Sequence, residues 1–126
     1  MQMRSKLGRV RGLGSTHEGA HHFWVQRVSA IALVPLIVWF AISAAPMLGA
    51  DLATFKAWVA RHYNPVLLGL LIVTAFYHGQ LGLQVVVEDY VHGEAAKMTT
   101  LILIKFGAVL VAACGLFAIA RLTFGS

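Results

Sequence analysis

Residues 65–91, PVLLGLLIVTAFYHGQLGLQVVVEDYV, decide the fold, because no Asp, Glu, Lys or Arg occurs between residues 65 and 87. About 20 helical residues cross the hydrocarbon core of a bilayer, so this run predicts a transmembrane helix. One histidine, His78, lies in its middle. An ionisable side chain at membrane depth is costly and usually has a function.

Two further runs, residues 28–48 and 98–124, are also long enough to span a membrane. The 126 residues are 59% hydrophobic and 12% charged, and their mean hydropathy is +0.76, whereas soluble domains carry about 25% charged residues. The sequence therefore predicts an all-α integral membrane protein. We expect three transmembrane helices, at about 22–48, 64–91 and 96–124, in one anchor domain of residues 21–126.

The loop between the first two spans predicts a short interfacial helix within residues 51–63. Leu52, Phe55 and Val59 recur at helical spacing, and Trp58 fits this face less well. Trp58 and Tyr63 are also residue types that anchor helices at the membrane surface. We expect the first span to end at Pro46 and Gly49.

Residues 1–20 predict a basic cytoplasmic arm. They contain no apolar segment of the kind found in signal peptides, so we expect the first helix to stay as an anchor. The net charge of +5 follows the positive-inside rule and indicates no nucleic-acid partner. Five basic residues then lie inside and three outside, which places the C-terminus in the periplasm; the two sets are Arg4, Lys6, Arg9, Arg11 and Lys97, against Lys56, Arg61 and Arg121. The single Cys114 cannot form an internal disulfide, and we expect it to be a buried apolar filler.

Two interpretations of His78 compete: a packing hydrogen bond to a neighbouring helix, or an axial ligand of a haem iron. The small residues Ala75, Gly79 and Gly82 leave the helix nearly bare beside the imidazole, as a flat cofactor requires. Low-spin haem takes two axial ligands. No other histidine or interior methionine lies at matching depth in the other two spans, so a haem here needs its second ligand from another polypeptide.

Asp89 and Tyr90 follow His78 by eleven and twelve residues, so Asp89 is on nearly the same helix face and about 16 Å nearer the cytoplasm. One interpretation is a helix end with an interface aromatic residue. The other is a quinone site, in which the Tyr90 hydroxyl donates to a quinone carbonyl and the Asp89 carboxylate orders the site or relays protons. Quinone reduction consumes two protons, so such a site belongs at a surface with access to water.

Four cationic or titratable residues precede or begin the first span: His17, His21, His22 and Arg27. They are either interface groups attracted to anionic lipid headgroups or, for His21 and Arg27, partners of haem propionates. The adjacent pair His21-His22 lacks the spacing of two zinc ligands on one helix face. We assign no ligand role to His62 or His92.

Two segments, EGAHHFWVQRVSAIAL (18–33) and HGQLGLQVVVEDYV (78–91), resemble the small hydrophobic anchor subunits of succinate dehydrogenase, respiratory complex II. The resemblance implies that His78 is an axial ligand of haem b, and that His21 and Arg27 lie on the propionate side. It also implies that Asp89 and Tyr90 belong to the ubiquinone site. The expected partners are a second three-helix anchor that supplies the other haem ligand, an iron–sulfur subunit, a flavoprotein and membrane lipid, in a bacterial inner membrane.

Three alternatives stay open. In the first, the chain is an anchor of fumarate reductase, a group whose haem content varies. In the second, it is part of another membrane cytochrome b, although such proteins generally have more helices and several intramembrane histidines. The third is a non-redox assembly protein in which His78 only packs. The chain itself has no flavin fold and no cysteine cluster, so we expect a non-catalytic subunit of an enzyme complex.

Overall fold

The structure, a computed structural model, describes residues 17–125, with side chains from residue 19 onward. Its four α-helices are α1 (His17–Ala44), α2 (Leu52–Val59), α3 (Asn64–Tyr90) and α4 (Glu94–Phe124), and a 3-10 turn, Ala45–Met47, continues α1. No strand occurs in residues 17–125. Helices α1, α3 and α4 are each long and apolar enough to cross a membrane. The expected all-α fold with three spans is confirmed.

The ends of α3 and α4 lie within two residues of the expected ones, and α1 ends at Ala44, four residues before the expected residue 48. Helix α1 is already helical at His17, the first described residue, four residues before His21. It becomes a 3-10 turn at Pro46, and Gly49 then adopts a φ of +78°, a left-handed conformation that glycine adopts readily. Most of the expected basic arm lies outside the described residues. Cys114 is exposed on α4, so its expected burial is wrong.

Helix α3 is the central helix of an open layer. It packs against both α1 and α4, whereas no Cα atoms of α1 and α4 lie within 8 Å of each other in residues 17–125. Two glycines bring α3 and α4 close together: a Cβ added at Gly115 would lie 3.1 Å from Ile72 Cδ1, and one at Gly69 would lie 3.5 Å from Leu116. Small residues allow such close approach between membrane helices. The open layer leaves two broad faces of α3 uncovered by this chain.

Helix α2 closes the end of the layer that corresponds to the first loop. Trp58 and Val59 are buried against Leu68 and the ends of the long helices. The Trp58 indole Nε1 donates to Ser43 Oγ at 2.9 Å, and Asn64 Nδ2 donates to the Trp58 carbonyl at 2.7 Å. Leu52, in contrast, is 66% exposed. The short helix was therefore predicted correctly, but its inward face is centred on Trp58 and Val59.

Most apolar side chains of the described residues point outward. None is fully buried, and the buried apolar set is small: Leu33, Trp58, Val59, Leu68, Leu81 and Val87. The outward apolar surface covers all three long helices, and α4 has no buried residue at all. Such a surface suits lipid or partner helices rather than water.

Candidate functional site

His78 is joined to helix α1 by a hydrogen bond with Ser29. Ser29 lies on α1 and His78 near the middle of the neighbouring helix α3. Their direct contact puts the two residues at the same depth of the helix layer. Ser29 Oγ lies 2.8 Å from His78 Nδ1, and the Ser29 side chain is only 7% exposed. The bond therefore fixes the imidazole from its Nδ1 side.

The Ser29 hydroxyl has a second contact that bears on the tautomer of His78. Ser29 Oγ also donates to the carbonyl oxygen of Gln26 at 2.9 Å, and a carbonyl can only accept. A hydroxyl has a single hydrogen, so Ser29 has none left for His78. With that hydrogen on the Gln26 carbonyl, Nδ1 carries the hydrogen of the Ser29–His78 bond and donates it to Ser29 Oγ. In a neutral imidazole this tautomer leaves the lone pair on Nε2.

The Nε2 atom of His78 is available to an external group. Among the described residues it makes no hydrogen bond, and it is not one of the buried polar atoms without a partner. A packing role for His78 explains the hydrogen bond at Nδ1 but not the unpartnered Nε2. A ligand role accounts for both nitrogens, since a metal-bound histidine normally donates its other N–H to a fixed acceptor.

The helix surface beside His78 is open, as the sequence predicts. A Cβ added at Gly79 or Gly82 would meet no atom within 4 Å, and Ala75 is exposed. A flat ring system therefore meets only small side chains next to the imidazole. The residues present fit a haem: an acceptor-fixed imidazole with a free Nε2, beside a bare face. Among the described residues no group of three or more His, Cys, Asp or Glu is placed to hold a metal ion by itself.

The structure distinguishes His21 from His22. His21 is exposed, whereas His22 is half-buried and its Nε2 is buried without a hydrogen-bond partner. His22 is seven residues before Ser29, so the two lie on nearly the same face of α1. Arg27 is not brought to His78: it is exposed, about 160° around α1 from Ser29, and its guanidinium lies 4.8 Å from the centre of the Phe23 ring.

Asp89 and Tyr90 lie at the end of α3, on the same continuous helix as His78. Both are exposed, Tyr90 to 77%. The Val91 amide donates to the Val87 carbonyl and closes the helix without using either side chain. Two polar groups are thus presented together at the surface end of the helix, and a pocket around them would need walls from other chains.

Two polar features of the site were missed from the sequence. The first is Ser29, which the equal depth of positions 29 and 78 in antiparallel helices would have indicated. The second is a ladder along α3: Gln80 Nε2 donates to Gln84 Oε1 at 3.3 Å, and Gln84 Nε2 donates to Glu88 Oε1 at 3.1 Å. Its signal is the spacing of four residues between like polar side chains.

Comparison with known proteins identifies the family. The sequence model of the succinate dehydrogenase/fumarate reductase transmembrane subunit matches residues 1–114. The succinate dehydrogenase hydrophobic membrane anchor subunit of Paracoccus denitrificans is 31% identical over 93% of this chain and 90% of its own length. The same subunit of Rickettsia bellii is 30% identical over 85% of this chain and 86% of its own. The succinate dehydrogenase membrane anchor subunit of Reclinomonas americana is 31% identical over 75% and 81%. No solved structure gives a significant match. The chain is a multi-pass membrane protein and belongs to the family of succinate dehydrogenase/fumarate reductase transmembrane subunits.

Proposed function

We propose that this chain is the membrane-anchor subunit of a succinate:ubiquinone oxidoreductase, that it provides one axial ligand to haem b, and that it forms part of the ubiquinone site. The observation that supports the proposal most strongly is the Ser29–His78 bond, which holds Nδ1 and leaves Nε2 without a partner among the described residues. The relatives named above are succinate dehydrogenase anchors, which favours succinate oxidation over fumarate reduction.

His78 is the residue of this chain that would hold the haem iron. When bound, haem b supplies a one-electron redox centre in the membrane interior. Ser29 would orient the imidazole by accepting the hydrogen bond from Nδ1–H. Gly79 and Gly82 leave room for the macrocycle. The second axial ligand comes from a partner anchor, because the described helices α1 and α4 contain no histidine at the depth of His78.

Propionate carboxylates require cationic or donor partners where water is scarce. The resemblance implies that His21 and Arg27 lie on this side; both are exposed, and Arg27 lies about 160° around α1 from Ser29, so it would reach a propionate only from beside the haem. His22 joins them as a candidate, because its Nε2 is buried without a partner in this chain. An acceptor brought by a bound group would satisfy that nitrogen.

Tyr90 and Asp89 act on the substrate quinone. The Tyr90 hydroxyl donates a hydrogen bond to one quinone carbonyl, and the Asp89 carboxylate accepts and passes protons at the membrane surface. Reduction of one quinone takes two electrons and two protons. Their exposure at the end of α3 gives the protons a route from water. Asp89→Asn should slow quinone reduction with an altered pH dependence, because an amide cannot relay protons.

The names of the relatives also imply a larger assembly. We propose that the chain docks an iron–sulfur subunit and a flavoprotein, beside a second three-helix anchor. The N-terminus would lie in the cytoplasm and the C-terminus in the periplasm of a bacterial inner membrane. Succinate oxidation itself takes place on the other subunits.

A reduced-minus-oxidised visible spectrum of the complex purified through a tag on this chain tests the proposal. We expect a b-type haem in the wild-type complex and its loss or weakening in His78→Ala. The chain expressed alone should hold no stable haem, since it offers a single axial ligand at that depth. A stoichiometric bis-histidine haem in the isolated chain, or a wild-type complex without haem, would overturn the assignment.

A further inference from the structure

A groove of about 600 Å³ lies between α3 and α4 and has no role in the function proposed above. Its walls are almost entirely apolar, apart from three polar side chains and Tyr77. On α3 it is lined by Val73, Phe76, Tyr77, Gln80, Leu81 and Gln84. On α4 it is lined from Lys105 to Leu116, with the small residues Ala108 and Ala112 one turn apart between them.

The groove faces away from the proposed haem surface. Successive residues of a helix are rotated by about 100°, so Gln80 lies about 160° around α3 from His78, and Gln84 about 120°. A partner that supplies the second haem ligand must approach the bare face beside His78. The groove is therefore on the side of the layer that this partner does not need.

The polar residues gather at one end of the groove. Lys105 and Gln84 belong to the half of the bundle that contains the end of α3 and the start of α4, whereas Val73 and Leu116 lie toward the other half. Lys105 and Leu116 are eleven residues apart, or about 16 Å along the helix. One leaflet of a bilayer has a hydrocarbon thickness of roughly 15 Å. The groove thus has the length of one extended acyl chain.

Lys105 lies close to the edge of the hydrocarbon layer. Helix α2 packs against Ile119 and Leu122, which places that end of α4 at the opposite membrane surface. Counting back about 20 residues, the length of a span, from Leu122 places the other surface near Ile102. Lys105 is then about one turn inside, where its stem reaches the headgroup region.

Donors predominate at this end of the groove. Lys105 has three N–H donors and no acceptor, and it is the one charged residue in the lining. The ladder from Gln80 to Glu88 fixes both glutamine amides and leaves each NH₂ group with a second hydrogen. The matching ligand is an anion with several oxygen acceptors, attached to a long apolar chain.

We propose that this groove binds one anionic phospholipid, with its phosphate at Lys105 and the glutamine amides and one acyl chain along Ala108 and Ala112. An anionic headgroup compensates a lysine that would otherwise lie uncompensated at the edge of the membrane. The site is independent of haem and of the quinone.

The test uses the assembled complex, purified in mild detergent through a tag on this chain. Phospholipid retained per complex is measured by mass spectrometry. After delipidation, the melting temperature is followed as dioleoyl-phosphatidylglycerol or dioleoyl-phosphatidylcholine is added. We expect the wild-type complex to retain phosphatidylglycerol and to be stabilised by it more than by phosphatidylcholine. Lys105→Ala should weaken the phosphatidylglycerol response about fivefold, the contribution of one lysine at an anionic surface, and Lys105→Arg should restore most of it.

Two further variants distinguish the effect of the Lys105 charge from the effect of the space in the groove. Lys97→Ala removes the same charge from the first turn of α4, outside the groove, and should behave as wild type. Ala112→Phe fills the apolar part of the groove and should reduce lipid retention with Lys105 intact; if it fails to assemble, the Lys105 pair decides alone. Three results would overturn the proposal. They are equal phosphatidylglycerol retention in Lys105→Ala and the wild type, an equal thermal response to both lipids, and the absence of any lipid effect because a partner helix occupies the groove.

Discussion

Replacing Ser29 with alanine removes the oxygen that accepts the His78 Nδ1–H. The bond is 2.8 Å long and the serine is 7% exposed, so no water replaces it easily. A donor left without a partner costs about 1–3 kcal/mol. The imidazole also loses the interaction that selects its tautomer. Mutating such an outer partner of a metal-bound histidine typically weakens metal binding by about 10–100-fold, and we expect a loss of haem affinity in that range.

The same substitution should shift the haem potential. A hydrogen bond from Nδ1–H to Ser29 increases electron donation from Nε2 to a bound iron and favours its oxidised state, so Ser29→Ala should raise the midpoint potential. A tenfold change in the ratio of the affinities for oxidised and reduced haem corresponds to about 59 mV for one electron. Redox titration of the haem absorbance in the purified complex measures the shift, and equilibrium loss of haem to an apo-globin acceptor measures affinity.

Two variants serve as controls for Ser29→Ala. Ser29→Thr keeps the hydroxyl and should preserve most of the affinity and the potential. Ser43→Ala removes a matched hydroxyl from the same helix, where it accepts from Trp58 at the far end of the layer. It should lower stability without moving the potential. Wild-type affinity and potential in Ser29→Ala, or an equal shift in Ser43→Ala, would refute the proton assignment.

Three further outcomes are expected. Gly82→Leu should abolish haem binding by filling the bare face, because an added Cβ meets no atom of this chain within 4 Å, whereas Gly115→Ala, at the α3–α4 contact, should keep the haem spectrum. Tyr90→Phe should slow quinone-linked turnover about ten- to a hundred-fold through loss of about 1–3 kcal/mol, and leave dye-linked succinate oxidation nearly unchanged; equal loss of both would indicate failed assembly instead. Hydrogen bonds from the side chain and the backbone amide of Thr54 lower the pKa of Asp51 from its ordinary 3.8, so Asp51→Ala should destabilise α2 at neutral pH, and thermal unfolding should show this difference vanish as the pH falls through the folded-state pKa.

The number of spans could be predicted from the sequence because it depends on apolar length alone. The inward face of α2 could not. By their spacing, Leu52, Phe55 and Val59 are equally good candidates for the inward face of α2. The hydrogen bond from Trp58 to Ser43 on another helix determines which face points inward.

The residues of the candidate site could be named from the sequence. The side chains that position them could not. His78 stands out because a histidine in an apolar run is rare, and its open surface follows from the glycines beside it. Ser29 does not stand out, because a serine inside an apolar helix is ordinary. Only the adjacency of α1 and α3 makes it a partner of His78. The roles of Tyr90 and Asp89 stay predictions, since no other described residue encloses them.

The most direct test of His78 as a haem ligand is the low-temperature EPR spectrum of the oxidised complex, compared with that of His78→Met. Methionine keeps an iron ligand at the position but replaces nitrogen with sulfur. We predict a low-spin signal with two imidazole nitrogens in the wild type, and a histidine–methionine signal with a raised midpoint potential in the variant. An identical spectrum and potential in the two complexes would show that His78 does not bind the iron.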